Sequence, residues 1–269
     1  MDGTLKDGFL PGLPEADIRA AFERAPGNEF SSGKFFSKES SAALAANAFG
    51  KFLLDAPSLP PLPGCEAYAW PAQTVGLEEE VRFPWRGGHH PCLDVLVELD
   101  DALIGVESKR YEPFRAKQEG EFSDAYWRDV WGSGMLGYEA VRDRIRAGAL
   151  AFKHLDAVQL VKHAFGLRTQ VHRQDREGKQ PVLYYLYAEP DQWPGCRPVE
   201  EGAIRTHREE IDAFAAQVSG DEVAFHAASY AELLESWRQS SLPHVREHAS
   251  AVLENFRVAW RRWGAAPTD

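Results

Sequence analysis

Three side chains between residues 91 and 112 have the types and spacing for metal-assisted hydrolysis: Asp94, Glu107 and Lys109. Asp94 lies in the apolar run Pro91-Cys92-Leu93-Asp94-Val95-Leu96-Val97-Glu98-Leu99. Glu107 and Lys109 close a second run, Ala102-Leu103-Ile104-Gly105-Val106-Glu107-Ser108-Lys109. Asp100-Asp101 separates the two, which is a strand–turn–strand signal. With those aspartates as a two-residue loop, Leu99 pairs with Ala102 and the residue numbers of every cross-strand pair have the same sum. Asp94 then faces Glu107, with Cβ atoms about 4.5–5.5 Å apart. Alternation along the strand sends Glu107 and Lys109 to one face, Val106 and Ser108 to the other.

Two carboxylates placed opposite each other repel unless something compensates them. A divalent cation reverses the sign of that interaction, and Mg²⁺ is suited to one or two carboxylates together with waters and phosphate oxygens. Lys109, about 6–7 Å beyond Glu107 along the strand, is placed to hold a metal-bound water or a phosphate oxygen. An acid on one strand followed by Glu-x-Lys on the next is therefore a hydrolytic constellation. Glu177-Gly178-Lys179 repeats the short motif but sits in a polar stretch without strand pattern. The bland alternative is the solvated face of an ordinary hairpin, against which the apolar flanks argue.

Other elements must position these residues. Ser40–Asp55 has serine caps and an Ala/Leu body at helical spacing, ended by the Pro-rich stretch 57–63. Residues 66–83 carry one or two strands. The loop 84–91 leads into the first strand of the hairpin, so it is expected at the mouth of the site. There Arg86 and the neighbouring glycine amides are candidate phosphate contacts, with His90 as a further substrate contact. His89, His90 and Cys92 lack an evident fourth ligand for zinc. Past a polar connection, Ser123 is read as the cap of a helix containing Trp127, Val130 and Trp131. Helical segments follow around 134–147 and 156–167. Gln159, Lys162 and His163 fall at i, i+3 and i+4, on one helical face. That face is either solvated or laid over the hairpin, where Gln159 and Lys162 would touch substrate. Residues 181–188 read as a buried strand, 200–218 as a charged amphipathic helix and 222–229 as another strand. Helices at 230–239 and about 242–262 complete the chain. The layout is α/β, a mixed sheet with helices on both sides.

The 269 residues, 44% of them apolar with eight Trp, suit one folded domain. Residues 1–30 read as an N-terminal arm. No apolar stretch reaches the ~20 residues of a membrane span, and the first residues show no charged-then-apolar leader. Three cysteines without metal-ligand spacing point to free thiols in a reducing compartment, so a cytoplasmic location is expected. The net charge of −11 argues against tight non-specific coating of nucleic acid, though not against a local basic rim beside a hydrolytic site.

The hairpin with Asp94, Glu107 and Lys109, set in this order of elements, resembles the PD-(D/E)xK nuclease superfamily, the restriction-endonuclease-like enzymes. The wording of 83–114 is also similar to uncharacterised bacterial members. The resemblance implies an αβββαβ core over 40–188, with 189–269 as a C-terminal α/β elaboration. It implies Asp94, Glu107 and Lys109 as catalytic residues, with Asp94 and Glu107 as ligands to Mg²⁺ or Mn²⁺. A further acid is expected from Glu80, which directly precedes the site strand, or from Glu39. Gln159 matches a glutamine that some members carry on the helix after the motif. Pro91-Cys92-Leu93-Asp94 stands where the family has adjoining Pro-Asp. The implied activity is metal-dependent hydrolysis of DNA phosphodiester bonds; many such enzymes pair as dimers, so a homodimer fits. The alternative is a non-catalytic module on the same fold that binds nucleic acid or protein. A third reading, an unrelated α/β enzyme acting on a small molecule, would be favoured by a closed pocket over Asp94.

Overall fold

The computed structural model describes residues 5–115, 120–173, 175–256 and 258. Five strands form one sheet in sequential order: β1 (Thr74–Glu80), β2 (Cys92–Glu98), β3 (Ala102–Lys109), β4 (Gln180–Tyr187) and β5 (Ala224–Ser229). The first three run antiparallel, and β4 and β5 join parallel to β3 and to each other. The longer helices are α1 (Glu15–Arg24), α2 (Ser41–Phe49), α3 (Leu136–Arg146), α4 (Ala157–Val171), α5 (Glu201–Val218), α6 (Tyr230–Arg238) and α7 (Pro243–Phe256). It is a mixed α/β architecture, an open sheet flanked by helices. β3 is buried along nearly its whole length, as a central strand covered on both faces must be.

Two apolar cores form, one on each face of the sheet. The first gathers Phe49, Phe52, Val95, Val97, Ile104, Val106 and Trp237, joining α1, α2, α6 and α7 to the sheet. The second gathers Leu93, Leu103, Trp131, Phe165, Leu183 and Phe214, joining α3, α4 and α5. Capping residues set where two of the helices begin. The Ser40 side chain accepts from Ala43 N at 3.0 Å to start α2, and Asp156 accepts from Gln159 N at 3.0 Å to start α4.

The hairpin has the expected register. Val95 pairs with Val106 and Glu98 with Leu103, and Leu99 N donates to Ala102 O at 2.8 Å across the Asp100-Asp101 turn. Among the described residues no helix is long and apolar enough to cross a membrane. The three cysteines are unpaired.

Two expected boundaries differ. The helix read from Ser123 through Trp131 is only a 3-10 turn, Asp124–Trp127, and Ser123 makes no side-chain cap bond. Burial of Trp131 overrides local helical pattern: its ring lies flat on Phe165, centroids 4.1 Å apart and 6° between planes, and Gly132 turns the chain at φ 70°. The last helix ends at Phe256, not 262; 257 and 259–262 lie outside the described residues.

α4 packs tightly because it carries Gly166. A Cβ there would lie 2.6 Å from Val81 Cγ2 and 3.1 Å from Pro91 Cγ. Gly166→Val is expected to lower stability by about 3 kcal/mol in urea unfolding. An unchanged midpoint would mean that α4 is not held against the chain entering β2.

Candidate functional site

Asp94, Glu107 and Lys109 come together at the end of the β2–β3 hairpin away from its turn. Regular pairing stops at Val95↔Val106, and beyond it Asp94 supplies a side chain in place of backbone. Its Oδ2 accepts from Ser108 N at 2.6 Å. Ser108 faces the other side of the sheet, 2.6 Å from Tyr230 Oη. Glu107, only 2% exposed, is ion-paired with the Lys109 ammonium. Lys109 also donates to Gln159 Oε1 at 2.9 Å, and His163 Nδ1 lies 3.0 Å from Glu107 Oε2. α4 therefore lays Gln159 and His163, one helical turn apart, over the motif.

Glu78 is the acid that joins this group. It lies in β1 with φ 52°, a left-handed conformation unusual for a non-glycine residue. Leu77 pairs with Val95 and Glu79 with Leu93, so Glu78 and Asp94 are opposed in register at an interruption of the ladder. The chain changes sides there: Leu77 and Val95 belong to the first core, Val81 and Leu93 to the second. Glu80, by contrast, is exposed, lies 3.4 Å from Arg82 Nε and does not line the cleft.

The cleft has a volume of about 480 Å³ and is lined by Glu78, Cys92, Asp94, Glu112 and Gln159. Its other wall, drawn from 27–42, includes Lys34, Glu39 and Ser41. Glu39 is thus at the cleft but engaged with Arg115. Glu112 is fixed by Ser41 Oγ at 2.5 Å and by the amides of Arg110 and Tyr111 at 2.8 and 2.9 Å.

Three expected substrate contacts lie elsewhere. Arg86 is exposed and does not line the cleft. His90 is buried, and its Nδ1 accepts from Phe83 N at 3.1 Å, so it braces its own loop. Lys162 donates to Glu121 O at 2.9 Å over the ring of Phe122. At i+3 from Gln159 it falls on the flank of the helical face, whereas His163 at i+4 reaches the site.

The electrostatics follow from packing these acids out of water. Burial, reinforced by Glu107 and Glu78, pushes the Asp94 carboxyl well above the ordinary range, against the opposing pull of Lys109 and Ser108 N–H. Burial also pushes Glu78 up to about 7; the Cys92 thiol, 3.6 Å away, opposes this, while Glu29 and Glu107 add to it. For Glu107 burial acts upward too, but Lys109 and His163 outweigh it and hold the acid at about 2. Burial works against the Lys109 ammonium, yet Glu107, Glu112 and Asp94 overcome it and raise its pKa.

Hard oxygen donors with uncompensated charge are what Mg²⁺ or Mn²⁺ requires. Asp94 and Glu107, with Glu78 beside them, fit a cation held by one or two carboxylates. Among the described residues no group of three or more His, Cys, Asp or Glu side chains is placed to hold a metal ion. Glu107 is turned toward Lys109 and His163, so any cation there shares it with them.

Comparison of the chain with protein-family models, with curated proteins and with solved structures gave no match.

Glu78 carries a testable consequence. Its pKa is higher in the folded chain, so its contribution to stability is complete below about 4.5 and is lost as pH rises to about 7. Glu78→Gln removes that loss. The variant is expected to match the parent at pH 4 and to exceed it by about 2 kcal/mol at pH 8 in urea unfolding. Equal stability at both pH values would show that Glu78 is not crowded by its neighbours.

Proposed function

We propose that the protein is a divalent-cation-dependent nuclease that hydrolyses DNA phosphodiester bonds, built on a restriction-endonuclease-like core. The observation that carries this reading is the convergence of Asp94 from β2 with Glu107 and Lys109 from β3 under Gln159 from α4. The order α2, β1–β2–β3, α4 and a parallel β4 supports the same reading.

A cation held by Asp94 and Glu107 would lower the pKa of a bound water and stabilise charge developing on phosphate. The remaining chemistry belongs to the chain. Lys109, anchored by Gln159 and Glu107, would hold the attacking water once a cation draws Glu107 toward the cleft. Gln159 is in turn fixed by its place in the first turn of α4, whose Asp156 cap it meets directly. The acidic wall repels a bare phosphate, which makes approach of the substrate depend on the cation.

The closure of Lys109 and His163 on Glu107 favours one rival, a binding module on the same fold without turnover. Cleavage of supercoiled plasmid and linear single-stranded DNA with Mg²⁺ or Mn²⁺ separates the two. Asp94→Asn keeps an acceptor for Ser108 N while removing the charge, so it is expected to fold at least as stably as the parent. Its cleavage rate is expected to fall by about 10³-fold or more. Metal-dependent cleavage retained by Asp94→Asn, or none by the parent, would overturn the nuclease reading.

A further inference from the structure

A second cavity, about 630 Å³, opens beside the acidic cleft, and Arg115 lines both. Its charge is opposite. Arg115, Lys153, Arg197 and Arg205 line it with a single acid, Glu200, in a chain of net charge −11. Among the described residues Lys153, Arg197 and Arg205 have no carboxylate partner. Unpaired cations gathered in a concavity of an acidic protein repel one another unless an anion joins them.

Arg197 is held in place without being neutralised. Its guanidinium lies 5.0 Å from the Trp193 centroid; Trp193 stacks on Tyr111 at 5.1 Å, and Arg110 lies 5.4 Å over the far ring. This column ties the turn at 192–198 to Arg110 and Tyr111, just beyond the Lys109 end of β3. Arg197 O accepts from Trp193 N at 2.7 Å, which closes the turn.

Two further groups face the same cavity. α5 begins there: Ala203 and Ile204 donate to Glu200 O, leaving Gly202 N–H without an acceptor among the described residues. Gly202 is exposed and lines the cavity, so its amide belongs to the wall that a ligand would meet. His154 is 8% exposed, and its Nδ1 lies 2.6 Å from Pro113 O. A carbonyl only accepts, so Nδ1 donates and Nε2 is left unpartnered among the described residues.

We propose that this basic cavity holds the phosphodiester backbone of a single nucleic-acid strand, with Arg115 at its junction with the acidic cleft. Guanidinium forks and a helix N-terminus suit phosphate, and a recess of this volume admits a strand of about two nucleotides but not a duplex ~20 Å across. The direction of the strand rests on the nuclease reading; binding in the cavity does not.

The test is fluorescence anisotropy of a labelled single-stranded oligothymidylate, roughly 12 nucleotides long, with the full chain in EDTA. The two to three phosphates of a stretch that fits the cavity predict a log–log salt slope of roughly −1.5 to −2. Arg197→Ala with Arg205→Ala is expected to weaken binding at least ~10-fold and to halve the slope, with Arg205→Lys retaining most of the affinity. Circular dichroism of the double variant must match the parent; if it does not, Lys153→Ala, on an exposed side chain, is read instead. Duplex DNA or polyglutamate competing as well as the strand, undiminished affinity in these variants, or no binding by the parent would overturn the proposal. Cleavage by a double variant with parental strand affinity would sink the cavity and leave the nuclease reading standing. Strand binding lost in the double variant of a chain that never cleaves would do the reverse.

Discussion

The constraint on which the site depends is the crowding of Asp94, Glu107 and Glu78, with Glu107 buried and the other two half-buried at the cleft. Desolvation and mutual repulsion both oppose ionising three such acids together. The fold resolves the conflict unevenly. Lys109 and His163 close on Glu107 and keep it ionised at about 2, whereas Asp94 and Glu78 are left with raised pKa values. Removing charge from either of the latter should relieve the fold, while breaking the Glu107 pairs would leave a buried charge exposed to its full cost.

Everything around the hairpin serves that arrangement. β4 and β5 extend the sheet so that β3 is central and dry, and α4 is seated closely enough through Gly166 to bring Gln159 and His163 over the motif. Asp156 fixes where α4 starts and hence which residues face the sheet. On the opposite face Ser108 meets Tyr230 of α6, which locks the strand between the two acids from behind. Beside the acidic cleft, the Arg110–Tyr111–Trp193–Arg197 column presents the opposite charge a short way along the surface.

Much of this was legible in the residues because strand register is arithmetic once the turn is located. Asp100-Asp101 fixed the pairing of Val95 with Val106, and that pairing brings Asp94, one step past the last regular pair, to the Glu107–Ser108 end of β3, where it accepts from Ser108 N. Alternation failed at β1. Glu80 sits next to the site strand in sequence, but the left-handed backbone at Glu78 reverses the facing of the strand and brings Glu78 to the cleft instead. Glu78 stands in a run of three acids at 78–80, and singling it out needed a φ angle that a glutamate rarely adopts. Lys162 was indistinguishable from its helical neighbours until its tip was seen directed to Glu121 O. Trp131 broke an expected helix because its ring is buried flat on Phe165, a contact 34 residues away that local pattern cannot express.

The central claim is that the buried acids form a cation site, and calorimetric titration with Mg²⁺ and Mn²⁺ near pH 8 tests it without reference to any substrate. The parent chain should bind at least one cation, and Asp94→Asn should lose that heat. Absence of binding by a folded parent chain, or undiminished binding by Asp94→Asn, would contradict the claim.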